Sequence, residues 1–126
     1  MGKKILIIDD SEVVLAMVKD ILEEAGYQVD TATNGIEANR YIFSRNQPEL
    51  IIMDIMMPML DGNKKAKILK DNELSRDIPI LLLSSKNEHE LRALVEEAGA
   101  DGYILKPFSR LEMVSIVKKC LQESAG

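Results

Sequence analysis

Four short runs of apolar residues punctuate the chain: Ile5-Leu6-Ile7-Ile8, Leu50-Ile51-Ile52-Met53, Ile80-Leu81-Leu82-Leu83 and Tyr103-Ile104-Leu105. Continuous runs of this length suit strands covered on both faces, as in a parallel sheet. A fifth segment, Tyr27-Gln28-Val29-Asp30-Thr31-Ala32, mixes polar and apolar residues and predicts an edge strand with one wetter face. Between the runs the apolar period lengthens to that of a helix. Val13, Val14, Met17, Val18, Ile21, Leu22 and Ala25 mark a first helix stopped by Gly26. Ile36, Ala38, Tyr41 and Ile42 mark a second, capped by Asn34. Ala66, Ile68 and Leu69 mark a third, weaker one after Asp61-Gly62, and Leu91, Leu94, Val95 and Ala98 a fourth, ended by Gly99. Leu111, Val114, Val117 and Leu121, widened by Met113, Ile116 and Cys120, mark a fifth that Ser109 caps.

Strand and helix thus alternate five times. That order predicts an α/β fold, an open doubly wound parallel sheet with helices on both faces and right-handed crossovers. In such sheets ligands bind beyond the carboxyl ends of the strands, at a switch in strand order. The residues at those ends are polar on four of the five strands: Asp9 and Asp10 after the first, Asp54 after the third, Ser84 and Ser85 after the fourth, Lys106 and Pro107 after the fifth. If the first and third strands are neighbours, three carboxylates converge. They repel one another unless a cation compensates. Mg²⁺, which takes hard oxygen ligands and keeps several waters, is the natural one. Lys106 can pair with Asp54 at rest or neutralise a phosphoryl oxygen. Ser84 adds a hydroxyl at the same rim. Three Asp, one Ser and one Lys fit phosphoryl transfer onto a carboxylate, which depends on positioning and charge neutralisation.

Composition removes other classes. The chain has 126 residues, enough for one core without disulfides or a structural metal. Asp and Glu number 21 against 16 Lys and Arg, a net charge of −5. That balance argues against direct binding to nucleic acid or to an anionic membrane. One cysteine, Cys120, excludes an internal disulfide, and one histidine, His89, leaves no material for a multi-histidine metal site. Only four apolar residues separate Lys4 from Asp9, too few for a signal peptide or a membrane span, so a cytoplasmic protein is expected. Lys64, Lys65, Lys67 and Lys70 on the third helix read as a solvated face. The last residues, 123–126, read as a loose tail.

Several motifs in order resemble the receiver domain of two-component response regulators, of the single-domain chemotaxis-regulator type. They are Ile8-Asp9-Asp10-Ser11, Asp54-Ile55-Met56-Met57-Pro58-Met59-Leu60-Asp61-Gly62, Leu83-Ser84-Ser85, Ala98-Gly99-Ala100-Asp101-Gly102-Tyr103 and Lys106-Pro107-Phe108. The resemblance implies one receiver domain over residues 1–126, with a core of about 4–121. It implies the flavodoxin-like (βα)₅ fold with strand order 2-1-3-4-5. It also implies roles. Asp54 is the phosphoacceptor. Asp10 ligates Mg²⁺ directly, Asp9 mainly through water, and the Met56 backbone carbonyl is a further ligand. Ser84 bonds the phosphoryl group and Lys106 contacts it. Ser84 and Tyr103 form the switch, the aromatic moving inward as Ser84 shifts. The donor is a phosphohistidine on a histidine kinase or phosphotransfer protein. It docks near Val13, Val14 and Met17 of the first helix with Pro107 and Phe108, although Met17 itself is read as core. An unidentified downstream protein reads the surface of the fourth helix, fifth strand and fifth helix, where His89, Arg92 and Tyr103 lie. The protein is then a signalling phosphoacceptor rather than an enzyme, and no output domain is expected after the fifth helix.

The departures from the family pattern are small. Ser84 stands for the commoner Thr, and Asn63 follows Asp61-Gly62. Met56 and Lys86, two places beyond Asp54 and Ser84, stand where the family's side chains flank the path of attacking water. Three rivals remain. A haloacid-dehalogenase-like phosphatase needs an Asp where Met56 stands. A flavin-binding flavodoxin-like module has Asp9-Asp10 against it, which would repel the flavin phosphate. A pseudo-receiver acting only by protein contacts would not need the complete acidic set.

Overall fold

The computed structural model describes residues 2–122, so the expected tail lies outside them. Strands and helices alternate: β1 (Lys4–Ile8), α1 (Glu12–Glu24), β2 (Gln28–Ala32), α2 (Gly35–Ile42), β3 (Leu50–Asp54), α3 (Gly62–Asp71), β4 (Ile80–Ser84), α4 (Glu88–Ala98), β5 (Gly102–Leu105) and α5 (Arg110–Cys120). The sheet is parallel throughout, in the order β2-β1-β3-β4-β5.

Local chemistry sets the helix ends. Ser11 accepts from Val14 N at 3.3 Å and starts α1. Asn34 Oδ1 accepts from Ile36 N and Glu37 N and starts α2. Ser109 and Glu112 close a reciprocal capping box at α5, which satisfies two amide donors at the helix start. Gly99 ends α4 at φ 73°, a conformation in which a Cβ is strained.

Side chains alternate between the two faces of the sheet. Leu6, Ile8, Ile51 and Met53 pack under α2, α3 and α4. Ile5, Ile7, Leu50 and Ile52 pack under α1 and α5. The register positions the site. Ile8 pairs with Met53, so Asp9 and Asp54 each stand one residue beyond that pair. Ser84 pairs with Leu105, so Lys106 follows on the same edge of the molecule.

The structure corrects four expectations. Met17 is exposed, not core, and Val13 is more exposed still at 76 %. The stripe that α1 buries is Leu15, Val18, Ile21 and Leu22, rotated from the one expected by the inclusion of Leu15. Ile36, Ile68 and Leu111 likewise face outward. β5 is not covered on both faces: as the second edge strand it leaves Tyr103 and Leu105 half-buried.

The fourth correction concerns the lysines of α3. Only Lys64 and Lys67 form a solvated face. Lys65 is buried against Gly35, with Nζ donating to Asn39 Oδ1 at 2.5 Å, and burial pulls its pKa down. Lys70 Nζ donates to the Ile78 carbonyl at 2.8 Å and to the Arg76 carbonyl at 3.2 Å, and pairs with Asp101 Oδ2 at 2.8 Å. Asp101 Oδ2 also accepts from Ile80 N at 2.8 Å. One ammonium thus gathers the end of α3, the start of β4 and the turn before β5. Lys70→Met removes these contacts, of which the one to the Ile78 carbonyl is partly buried and the others are open to water, and is expected to cost about 1 kcal/mol. Lys67→Met, which loses only an exposed pair with Asp71, is expected to stay within about 0.5 kcal/mol of the parent. Urea midpoints with unchanged slopes would check both.

Candidate functional site

The acidic pocket forms where β1 and β3 end together. Asp9 is fully buried, Asp54 is 5 % exposed and Asp10 faces solvent. One carboxylate oxygen from each lies within 4.8 Å of the others, the only such group of potential metal ligands among the described residues. Asp9 Oδ1 accepts from Ser11 N at 2.9 Å, which ties it to the start of α1. Asp54 Oδ1 accepts from Met56 N at 3.2 Å. The Met56 backbone thus borders the pocket while its side chain is exposed.

Lys106 arrives from the opposite side. Its Nζ stands 3.3 Å from Asp9 Oδ2 and 3.3 Å from Asp54 Oδ2, bridging the two buried carboxylates. Its backbone N donates to the Ser84 carbonyl at 2.8 Å, and the Lys106–Pro107 peptide is cis. Ser84 is buried, and its Oγ accepts from Lys86 N at 3.0 Å. The hydroxyl proton therefore remains for another acceptor. Gly62 opens α3 against the end of β3, its N donating to the Ile55 carbonyl at 2.8 Å. A Cβ there would lie 2.0 Å from the Asp54 carbonyl oxygen, so no larger residue fits without moving Asp54.

Charge dominates this pocket. Burial, then the Asp9 carboxylate, push the Asp54 carboxyl above the usual carboxylate range, against the opposing pull of Lys106 and the Met56 N–H. A carboxyl whose pKa is raised by folding holds its proton more tightly in the folded state. Stability therefore falls as pH rises from the ordinary carboxylate value through the raised one, then stays level. Metal-free Asp54→Asn is accordingly expected to melt above the parent at neutral pH. That advantage should shrink as the solution is acidified and the parent's Asp54 takes up its proton. Thermal melts across pH in the presence of a chelator would check this, and a constant gap would refute it.

The residues present suit a hard divalent cation. Asp9, Asp10 and Asp54 offer clustered carboxylate oxygens, and Asp10 lies open to the water that such an ion retains. Beside the pocket opens a cleft of about 390 Å³ lined by Ile55, Met56, Asp61, Asn63, Lys86 and Glu90.

The structure brings Asp9, Asp10, Asp54, Met56, Ser84 and Lys106 to one end of the sheet. His89, Arg92 and Tyr103 lie apart from that pocket, on α4 and β5. His89 and Arg92 are exposed and Tyr103 is half-buried. Sequence reasoning passed over Glu88. It stands one helical turn before Arg92, accepts from Arg92 Nη2 at 3.4 Å and takes the Tyr103 hydroxyl as a donor. The four-residue spacing of opposite charges was visible; the contact with β5 was not.

Comparison with known proteins follows the same lines. The family model described as "Response regulator receiver domain" matches residues 5–118. The chain is 41% identical over 124 residues to the alkaline phosphatase synthesis transcriptional regulatory protein PhoP of Bacillus subtilis, covering 98% of this chain and 50% of that one. It is 35% identical over 117 residues to protein PilG of Pseudomonas aeruginosa, covering 93% and 86% respectively. The chain spans about half the length of most of the curated relatives it matches. Among solved structures, the chemotaxis response regulator CheY4 of Vibrio cholerae superposes with a TM-score of 0.86 at 30% identity, covering 95% of this chain and 99% of that one. The receiver domain of a sensor histidine kinase from Pseudomonas aeruginosa PAO1, described with a magnesium ion coordinated in its active site cleft, gives 0.85 at 29% identity, covering 98% and 100%.

Proposed function

The chain belongs to the response regulator receiver domain family of two-component signalling, and from that premise we propose that Asp54 accepts a phosphoryl group from a histidine kinase or phosphotransfer protein and thereby changes a partner-binding surface. Receiver domains are signalling phosphoacceptors that take phosphoryl groups from histidine kinases and bind Mg²⁺ at an acidic pocket. The observation that carries the assignment to this pocket is the convergence of Asp9, Asp10 and Asp54, with Lys106 bridging the two buried carboxylates.

Asp9, Asp10, Asp54 and the Met56 carbonyl would hold the Mg²⁺. When bound, it supplies positive charge against the oxygens of the group in transfer. The chain's own residues do the rest. Met56 N holds one Asp54 oxygen, so the other, which faces Lys106, is presented to the donor phosphorus. As the oxygen–phosphorus bond forms, the phosphorus–nitrogen bond of the donor breaks. Its electron pair stays on the imidazole, which takes a proton from solvent. Lys106 Nζ then follows the phosphoryl oxygens, and the Ser84 hydroxyl donates to one of them. Hydrolysis of the mixed anhydride restores the carboxylate.

In this reading the chain is no general enzyme: it assists only its own charging and discharge. The phosphatase alternative lacks an acid/base, because the second residue after Asp54 is the exposed thioether Met56. A pseudo-receiver is disfavoured by the complete acidic set. His89, Arg92 and Tyr103 are assigned to the surface that the downstream protein reads, and Val13, Val14 and Met17 with Pro107 and Phe108 to donor docking. The net charge of −5 argues against direct contact with nucleic acid. Among the described residues no helix is long and apolar enough to cross a membrane, and the role assigned here is a cytoplasmic one. Intact-mass analysis after incubation with a small phosphodonor and Mg²⁺ tests the proposal: one phosphoryl adduct supports it, and no adduct with any donor would leave the pseudo-receiver standing.

A further inference from the structure

From the contact between α2 and α3 we infer that Lys65 and Asn39 form a clasp that fixes the first turn of α3, and that Lys65 is thereby a positioning residue for the loop that carries the Met56 carbonyl to the acidic pocket. The buried stripe of α3 is Gly62, Lys65, Ala66 and Leu69, so the lysine occupies a place that the helical period reserves for an apolar side chain. Its stem lies along the Gly35 backbone, where a Cβ would stand 3.4 Å from Lys65 Cδ. Its Nζ donates to Asn39 Oδ1, and among the described residues that neutral amide is its one partner. A buried ammonium without a counter-charge costs stability. A leucine or methionine would fill the same stripe without that cost, so packing alone does not account for the lysine. The two helices otherwise lean on different neighbours, α2 chiefly on β1 and β2, α3 chiefly on β4 and α4. Lys65 spans the seam between them.

The clasp acts at the point where α3 begins. Lys65 N makes the first bond of the helix, to the Asp61 carbonyl at 3.0 Å. Asp61 gives no side-chain cap, in contrast to Ser11, Asn34, Asn87 and Ser109 at the other four helices. The loop before it is strained. Leu60 N donates to the Pro58 carbonyl at 2.8 Å, closing a three-residue turn around Met59, which is held at φ 72°. A residue with a Cβ keeps such a backbone only where its surroundings impose it. β3 imposes one end of the loop, through Ile55 N to the Leu83 carbonyl at 3.1 Å. The other end is α3, without a side-chain cap and tied to α2 by Lys65. Release of the clasp lets the first turn of α3 draw away, and the loop relaxes with Met56 in it. The consequence for Mg²⁺ rests on the reading of the pocket given above; the clasp itself does not.

Lys65→Met keeps the stem and removes the donor. Calorimetric titration with Mg²⁺ alone is expected to show binding weaker by about three- to tenfold, the equivalent of one hydrogen bond. The sign is diagnostic. Loss of a positive charge would by itself tighten Mg²⁺ binding, so tighter or unchanged binding would overturn the positioning role. Asn39→Ala, which leaves the charge in place, is expected to weaken binding likewise. Asn39→Asp, which keeps an acceptor oxygen in the same shape, is expected to bind at least as tightly as the parent. Met59→Gly in the Lys65→Met background should recover part of the affinity, because glycine holds a positive φ freely. No recovery would overturn the part given to strain. Amide exchange in chelator reads the clasp without metal. Leu60 N and Gly62 N, bonded to the Pro58 and Ile55 carbonyls, are expected to exchange about three- to tenfold faster in Lys65→Met, with the amides of β1 unchanged. Unchanged exchange at Leu60 and Gly62 would overturn the clasp. Acceleration spread evenly into β1 would mark a general loosening and overturn it too. A parent that binds no Mg²⁺ would count against the reading of the pocket, and the exchange comparison would still decide whether the clasp exists.

Discussion

Asp54→Asn is expected to carry no phosphoryl group under conditions in which the parent takes up one. The substitution changes one atom in the side chain and little in shape. Its amide oxygen can still accept from Met56 N, and its neutral head relieves the burial of a second charge beside Asp9. The fold should therefore persist while the nucleophile is lost, so a missing adduct cannot be ascribed to unfolding. The expected result is a single mass shift in the parent and none in the variant, with the variant's melting temperature equal or higher. An adduct of the same yield on Asp54→Asn would move the acceptor elsewhere, with Asp9 and Asp10 the next carboxylates to examine. Turnover of many equivalents of a stable phosphomonoester by the parent would revive the phosphatase reading despite Met56. The acceptor's chemistry favours a transient signal: an acyl phosphate is a mixed anhydride and hydrolyses spontaneously, whereas a phosphoserine would need a separate phosphatase.

The alternation of elements and the polar strand ends were legible in the sequence because both follow from local rules. A strand covered on two faces must be continuously apolar, and a site at the carboxyl ends of parallel strands must draw on the residue just after each run. Asp9, Asp54, Ser84 and Lys106 obey this directly. What the sequence hid was set by tertiary contact. Periodicity offered Val13 and Met17 as readily as Leu15 for the buried stripe of α1. Only the packing of the helix on β1 and β2 decides that Leu15 and Val18 go inward. Lys65 and Lys70 looked like a solvated face because a lysine's usual place is in water. Each is held instead by a partner distant in sequence, Asn39 in one case and Asp101 in the other. Tyr103 was legible as a half-buried strand residue, yet its tie to Glu88 spans fifteen positions and a change of element. Contacts of this kind leave no periodic trace.

Lys106→Met should lower the stability of the metal-free protein by about 3 kcal/mol, the cost of leaving buried carboxylates without their counter-charge. Methionine keeps most of the aliphatic stem, so the loss reports the ammonium rather than the packing. For a chain of this size the melting temperature should drop by roughly 10 °C. Two features separate this from a generic core defect. The deficit should depend on pH: Lys106 pulls Asp54 down, so without it the Asp54 carboxyl rises further. Stability is then lost over a wider span as pH increases, and the gap between variant and parent narrows toward acid. The deficit should also shrink in saturating Mg²⁺, because a cation among Asp9, Asp10 and Asp54 supplies part of the missing charge and binds the variant's more negative pocket at least as well. Charging should not recover to the same degree. A metal can balance the resting pocket, but the Nζ that stands 3.3 Å from the Asp54 oxygen facing it is the group positioned to follow the phosphoryl group. Lys106→Arg provides the control, since it restores charge with a planar fork in place of a compact ammonium. It is expected to recover stability more fully than the rate of charging. If Lys106→Met were as stable as the parent at neutral pH in chelator, the two buried carboxylates would not depend on it. The electrostatic account of the pocket would then fail at its centre.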